Sequence, residues 1–184
     1  MRRFLHVLAT SLTVLLTGFA TGLPITQAAA WPPPPSRLHL STPQGQLRII
    51  TNDYVYEARL QFEGEDVRPS IRGLLNITYA FKTESSTTAL LSINTGNSPC
   101  DIHYRWILLQ GDSYQLSPQF GSCSERIRVS ADERGYTLST PNPKTANMLD
   151  VYHYDGKQIT LTQQAVPTGP TIDTPPSVSP STQP

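Results

Sequence analysis

Tyr54-Val55-Tyr56-Glu57-Ala58-Arg59-Leu60-Gln61-Phe62-Glu63 alternates with period two, placing Tyr54, Tyr56, Ala58, Leu60 and Phe62 on one face and largely polar residues on the other. Successive side chains of a strand point to opposite sides, so this is the pattern of a half-buried β-strand. The same period recurs in Leu75, Ile77, Tyr79 and Phe81, and again in Ile102, Tyr104, Trp106 and Leu108. Shorter apolar runs occupy 38–40, 47–49, 90–93, 127–129, 136–138, 151–154 and 159–161. Beyond residue 30 no window carries a long i, i+3, i+4 stripe, so little helix is expected.

Turn chemistry separates these runs. Pro43-Gln44-Gly45, Gly64-Glu65-Asp66, Thr95-Gly96-Asn97, Gln110-Gly111-Asp112 and Glu133-Arg134-Gly135 supply residues that tolerate positive φ or cap their own backbone. Asp155-Gly156 reads as a two-residue type I′ hairpin, which would pair Tyr154 with Lys157, Tyr152 with Ile159, His153 with Gln158 and Val151 with Thr160. Many short strands with turns between them predict an all-β fold: a single antiparallel meander, sandwich or barrel-like, closed by one disulfide.

The ends differ from this middle. Arg2 and Arg3 precede an apolar stretch from Phe4 to Ala20, and Ala28-Ala29-Ala30 offers small residues for cleavage before Trp31, so residues 1–30 read as a secretory signal. Export places the mature chain in a periplasmic or secreted setting with no stable membrane anchor left after cleavage. Residues 31–35, Trp-Pro-Pro-Pro-Pro, read as a polyproline spacer. Residues 165–184 are rich in Pro, Ser and Thr with Asp173 as their one charge, and read as a disordered tail. The β domain is therefore expected at 36–164, enough for one core.

Without Arg2 and Arg3, 12 of the 14 basic residues face 14 acidic ones, a formal charge of −2. No Lys/Arg cluster suited to phosphates is present, which excludes nucleic acid as a partner. Cys100 and Cys123 are the two cysteines of an exported chain and lack Cys-x-x-Cys spacing, so a structural disulfide is expected rather than a redox or metal pair. Closing that loop should contribute about 3 kcal/mol on the loop-entropy model.

Catalytic patterns are missing: there is no Gly-x-Ser-x-Gly elbow and no free cysteine is expected. Glu57, Glu63, Glu65 and Asp66 offer carboxylates but sit largely in a turn, and they lack the spacing of a calcium loop. His39, His103 and His153 have no ligand-pair spacing, so neither metal nor cofactor is expected. Asn76-Ile77-Thr78 matches a glycosylation sequon inside a strand pattern. On the strand after Cys100, Asp101, His103 and Arg105 share one face opposite Ile102, Tyr104 and Trp106; that face is either solvated or takes an anion through Arg105 beside His103. Binding is expected at the loops beside the disulfide, 94–99 and 112–120, with Arg105, Tyr114, Asn97 and His103 as contacts.

The segment Asn94-Thr95-Gly96-Asn97-Ser98-Pro99-Cys100, with Phe120-Gly121-Ser122-Cys123 and Tyr152-His153-Tyr154-Asp155-Gly156-Lys157, resembles small secreted β-rich proteins of Gram-negative bacteria. More remotely it resembles periplasmic lysozyme inhibitors and immunity proteins, whose calcium-binding members carry an Asp/Asn-rich loop that this chain lacks. The resemblance implies a non-enzymatic binding domain whose partner is a secreted protein such as a wall-degrading enzyme. The rival expectations are a surface-associated structural module and, more weakly, a hydrolase whose site assembles only in three dimensions.

Overall fold

The structure, a computed structural model, describes residues 31–52, 55–96 and 100–167. The expected signal, Tyr54, Asn97 and the tail from Thr168 lie outside them. Among the described residues every regular element is a strand. The strands are β1 (His39–Thr42), β2 (Gly45–Asn52), β3 (Val55–Phe62), β4 (Glu65–Asp66), β5 (Leu74–Lys82), β6 (Ser86–Asn94), β7 (Ile102–Gln110), β8 (Ser113–Leu116), β9 (Arg128–Asp132), β10 (Gly135–Pro141), β11 (Met148–Tyr154) and β12 (Ile159–Ala165). Each pairs antiparallel with its sequence neighbour inside three four-stranded meanders: sheet I (β1–β4), sheet II (β5–β8) and sheet III (β9–β12). The expected all-β antiparallel fold is present, with the chain breaking its ladder twice, at 67–73 and 117–127.

Sheet II lies in the middle, and both its faces are buried. Toward sheet I, Leu75, Ile77, Ala89, Leu91, Ile93, Ile107 and Leu109 pack with Leu47, Ile49, Leu60 and Phe62. Toward sheet III, Leu90, Tyr104 and Trp106 pack with Phe120, Ile127, Leu138, Tyr152 and Tyr154. This double burial explains why the run Ala89-Leu90-Leu91 lacks alternation: a strand covered on both sides must be apolar on both.

Two local expectations need correction. The sequence put Leu75, Ile77, Tyr79 and Phe81 on one face, but β5 carries a bulge in which Thr78 and Tyr79 together oppose Leu90, because the pairing passes from Ile77–Leu91 to Ala80–Ala89. The extra residue swaps the faces: Leu75 and Ile77 enter the aliphatic layer, while Tyr79 and Phe81 join the aromatic one. The Thr78 hydroxyl donates to Leu90 O at 3.0 Å and occupies a carbonyl at the irregularity.

The second correction concerns the hairpin after β11. Tyr154 pairs with Ile159 and Tyr152 with Leu161, so the loop is four residues long rather than two. Asp155 Oδ1 accepts from the backbone N–H of both Lys157 and Gln158, each at 2.8 Å, and only Gly156 has positive φ (+94°). These bonds form an Asx turn that a type I′ turn would not allow, and they hold the Asp155 carboxyl below its usual pKa. The register moves by two, so each side chain keeps the face the alternation gave it. At the C-terminal edge β12 runs through Ala165, and Val166 N–H donates to Asn147 O at 2.8 Å, so the ladder continues past Gln164.

Candidate functional site: a disulfide-framed cleft on sheet II

Sheet III covers only part of the face of sheet II that it packs against. At the uncovered end, ladder pairing builds two rows of side chains across three strands. Leu74 pairs with Asn94 and Asn94 with Ile102; Asn76 pairs with Ser92 and Ser92 with Tyr104. These six residues floor a cleft of about 210 Å³, walled by Pro34, Pro35 and Ser36 on one side and Glu125 on the other. The segment 31–35, expected as a spacer, here lies along the sheets. Trp31 stacks over the Arg128 guanidinium at 4.5 Å, Ser36 Oγ donates to Asn76 Oδ1 at 2.7 Å, and Arg37 exchanges backbone bonds with Ile77.

The opposite wall is fixed by three ties. Cys100 and Cys123 form the expected disulfide, with Cα atoms 4.8 Å apart. The Tyr104 hydroxyl donates to Ser124 O at 2.8 Å, and burial pushes this phenol's pKa strongly up. The Ser122 hydroxyl donates to the buried carboxylate of Asp150, whose other oxygen accepts from Asn142 Nδ2 (2.6 Å) and Gln163 Nε2 (3.2 Å). Because Ser122 has a single proton and gives it to Asp150, the Tyr152 hydroxyl must donate to Ser122 Oγ, at 2.7 Å. Burial raises the Tyr152 pKa, with the Asp150 charge adding to the effect and the Ser122 bond opposing it. Backbone geometry contributes too: Gly121 sits at φ +129°, where a Cβ would come within 3.0 Å of the Tyr104 ring. Gly73, at φ +125°, lets β5 approach Asn94 O, which an added Cβ would strike at 2.5 Å.

The free valences of the cleft follow from these bonds. Asn94 Oδ1 accepts from Gly96 N–H at 2.9 Å, as Asn76 Oδ1 does from Ser36. Each of these cleft-lining amides is thus left with an NH₂ group that has no acceptor among the described residues. The Ser92 hydroxyl is likewise unbonded and the Glu125 carboxylate unpaired among those residues. Thr78 and Tyr104, by contrast, have already spent their hydroxyl protons on Leu90 O and Ser124 O.

The sequence-expected contacts are only partly brought together. His103 is half-buried, its Nδ1 3.9 Å from Cys100 Sγ, beside the disulfide but on the face of β7 away from the cleft. Arg105 shares that face opposite Leu91, and its buried Nε has no acceptor among the described residues. Farther along the same face Ile107 and Leu109 belong to the aliphatic core, so the face is not solvated throughout. Tyr114 stands at the other end of β7, paired with Leu109; its ring meets Phe62 edge-on at 5.9 Å and its hydroxyl accepts from Arg68 N–H at 2.7 Å. It belongs to β8 of sheet II and packs against sheet I; like the rest of 112–116, it lies at the end of β7 away from the disulfide. Only 117–120 return toward it, through Ser117 N–H to Trp106 O and the Tyr104–Phe120 bridge.

Other candidate clusters are dispersed or engaged. His39, His103 and His153 lie on three different sheets. Glu57 faces Arg72 at 3.6 Å, and Asp66 accepts from Gln61 and Arg59, which hold its pKa down. Ser122 and Asp150 have no imidazole in line with them, since His153 points to the opposite side of β11 from Asp150 and Tyr152. The sequence reading included Asn94 as the start of the loop 94–99 and Asn76 as part of a glycosylation sequon, and it gave no binding role to Asn76, Ser92 or Glu125. A signal was present, in polar residues at alternate positions of two otherwise apolar strands. Comparison with family models, curated proteins and solved structures finds no match.

Proposed function

We propose that this chain is an exported, non-enzymatic binding domain that engages its ligand at the cleft of sheet II. The observation that carries this reading is a set of donors, from Asn76, Ser92 and Asn94, with no acceptor among the described residues, at the uncovered end of a sheet otherwise packed on both faces, beside a wall tied down by the disulfide. Groups mounted on packed strands keep their positions when a ligand arrives, so association bears little ordering cost. The disulfide also fits an oxidising, periplasmic or extracellular setting.

Two forms of this reading differ in partner. As an inhibitor or immunity protein, the domain would accept a projecting residue of a secreted wall hydrolase. As a surface-associated module, it would hold a component of the wall itself. The second is favoured by size: at about 210 Å³ the cleft is below the ~300–1,000 Å³ of sites that enclose drug-sized molecules, and it suits one unit of a polymer.

Leu74 is 49% exposed at the rim, so Leu74→Arg should obstruct the cleft without disturbing the core. The parent should co-sediment with purified cell-wall sacculi or retain a hydrolase from a periplasmic extract, and the variant should do so at least tenfold less well. Equal capture by both proteins would remove the cleft from the function.

A further inference from the structure

We infer that the cleft recognises an acetamido-bearing saccharide, one ring at a time; this rests on the binding-domain reading. The floor is the face of a sheet, whose backbone groups are consumed in the β5–β6–β7 ladder, and the outer side of β5 is occupied at Ile77 by Arg37. An extended peptide that binds by strand addition needs a free edge, whereas the cleft floor is a sheet face whose adjoining edge is interrupted at Ile77, so recognition on that floor falls to side chains. Those side chains present donors rather than acceptors toward the centre.

Asn76 and Asn94 stand diagonally across the β5–β6 pair, a relation that places side chains about 7–8 Å apart. Both carbonyl oxygens already accept a bond, so each of these two lining residues keeps an unpartnered NH₂ donor that an acceptor on a ligand would satisfy. An anionic acceptor is disfavoured by the unpaired carboxylate of Glu125 on the wall, which leaves a neutral carbonyl. Half-buried Ile102 and the exposed side of Leu74, next to Asn94 in the same row, provide an apolar seat for a methyl group. A carbonyl acceptor joined to a methyl and to an N–H that can reach the Ser92 hydroxyl describes an acetamido group. Pro34 and Pro35 give the flat apolar wall that a pyranose ring can lie against, and Glu125 accepts from ring hydroxyls.

The test uses the exported chain with its disulfide intact and tri-N-acetylchitotriose as probe. Titration followed by NMR should shift the resonances of Ser92, Asn94 and Ile102 with a millimolar Kd, whereas cellotriose, which lacks the acetamido groups, should shift them at least tenfold more weakly. Asn94→Asp and Asn76→Asp each keep the oxygen that accepts from Gly96 or Ser36 and replace only the donor. Each should reduce chitotriose affinity at least tenfold with an unchanged melting temperature. If either variant fails to fold, Ser92→Ala, which removes one hydroxyl, serves the same purpose with a severalfold loss expected. Equal binding of the two saccharides, or Asp variants that bind as the parent does, would overturn the acetamido assignment. Binding of an N-acetylated dipeptide with no response to chitotriose would overturn the saccharide. If no saccharide binds while Leu74→Arg still abolishes capture of a hydrolase, this inference fails and the binding-domain reading survives.

Discussion

The two faces of sheet II are filled by different chemistry. Toward sheet I the layer is mainly aliphatic, with Leu47, Ile49, Leu60, Leu91, Ile93, Ile107 and Leu109 packed with Phe62, the one buried aromatic ring of this layer among the described residues. Toward sheet III it is aromatic: the Trp106 ring centroid lies within 6.3 Å of those of Phe81, Tyr136 and Tyr154, and Phe120 packs at a tilt against Tyr104 and Tyr152. Branched aliphatic chains have no polar atoms and interdigitate until the space is closed. Tyrosines bring hydroxyls that must be bonded when buried, and here they reach Ser124 O, Ser122 Oγ and Gly156 O at the margins of the layer. The aromatic side consequently ends in a polar fringe, and the cleft lies along that fringe. The sealed layer and the open cleft thus lie on opposite faces of one sheet.

The largest effect expected from this contrast is at Trp106, which is fully buried at the centre of the aromatic layer. Trp106→Ala should cost about 4 kcal/mol in urea unfolding. A loss below about 1.5 kcal/mol would show that the aromatic layer is not a load-carrying core.

The fringe comes next. Asp150→Ala would leave Ser122, Asn142 and Gln163 donors without their acceptor, and should destabilise the domain by about 2–3 kcal/mol. It should also raise amide exchange in 121–125 while leaving sheet I unaffected. If exchange rises equally in sheet I, the network is not local to the aromatic side.

The smallest effect is a pH dependence. Burial raises the pKa of Tyr104, Tyr152 and Tyr154 above the ordinary phenol value of 10. The folded chain then retains protons that the unfolded chain releases, so the stabilisation is complete below pH 10 and falls as pH rises through and beyond it. Each such phenol removes up to about 1.4 kcal/mol per pH unit in that range. Tyr104→Phe should flatten the alkaline limb of a stability–pH curve. Leu91→Met, on the aliphatic side, should change stability by less than about 1.5 kcal/mol and leave that limb as it is. A parent curve that is level to pH 11 would break the comparison.

Strand existence was legible in the chain because alternation is a local property: Ala58, Leu60 and Phe62 are buried where the period placed them, as are Tyr104 and Trp106. The disulfide was legible for a different reason, since a chain with two cysteines has only one intramolecular pairing available. Face assignment failed at Tyr79 and Phe81 because a one-residue bulge reverses parity without altering composition. Tyrosine suits both interfaces and cores, and the packing of the Tyr114 ring against Phe62 could be read only from the sheet lying over it.

The sequence by itself determined a β-rich chain, its turns and its covalent link, all of which depend on residues near in sequence or on cysteine number. Tertiary structure alone decided that sheet II would be covered on both sides, that Asp150 would collect donors from Ser122, Asn142 and Gln163, and that Asn76, Asn94 and Glu125 would meet around one cleft. Period two distinguishes the two sides of a strand but carries no information about what covers each side. That depends on lateral pairing and layer stacking between segments tens of residues apart, where side chains become neighbours only after the backbone ladders have closed.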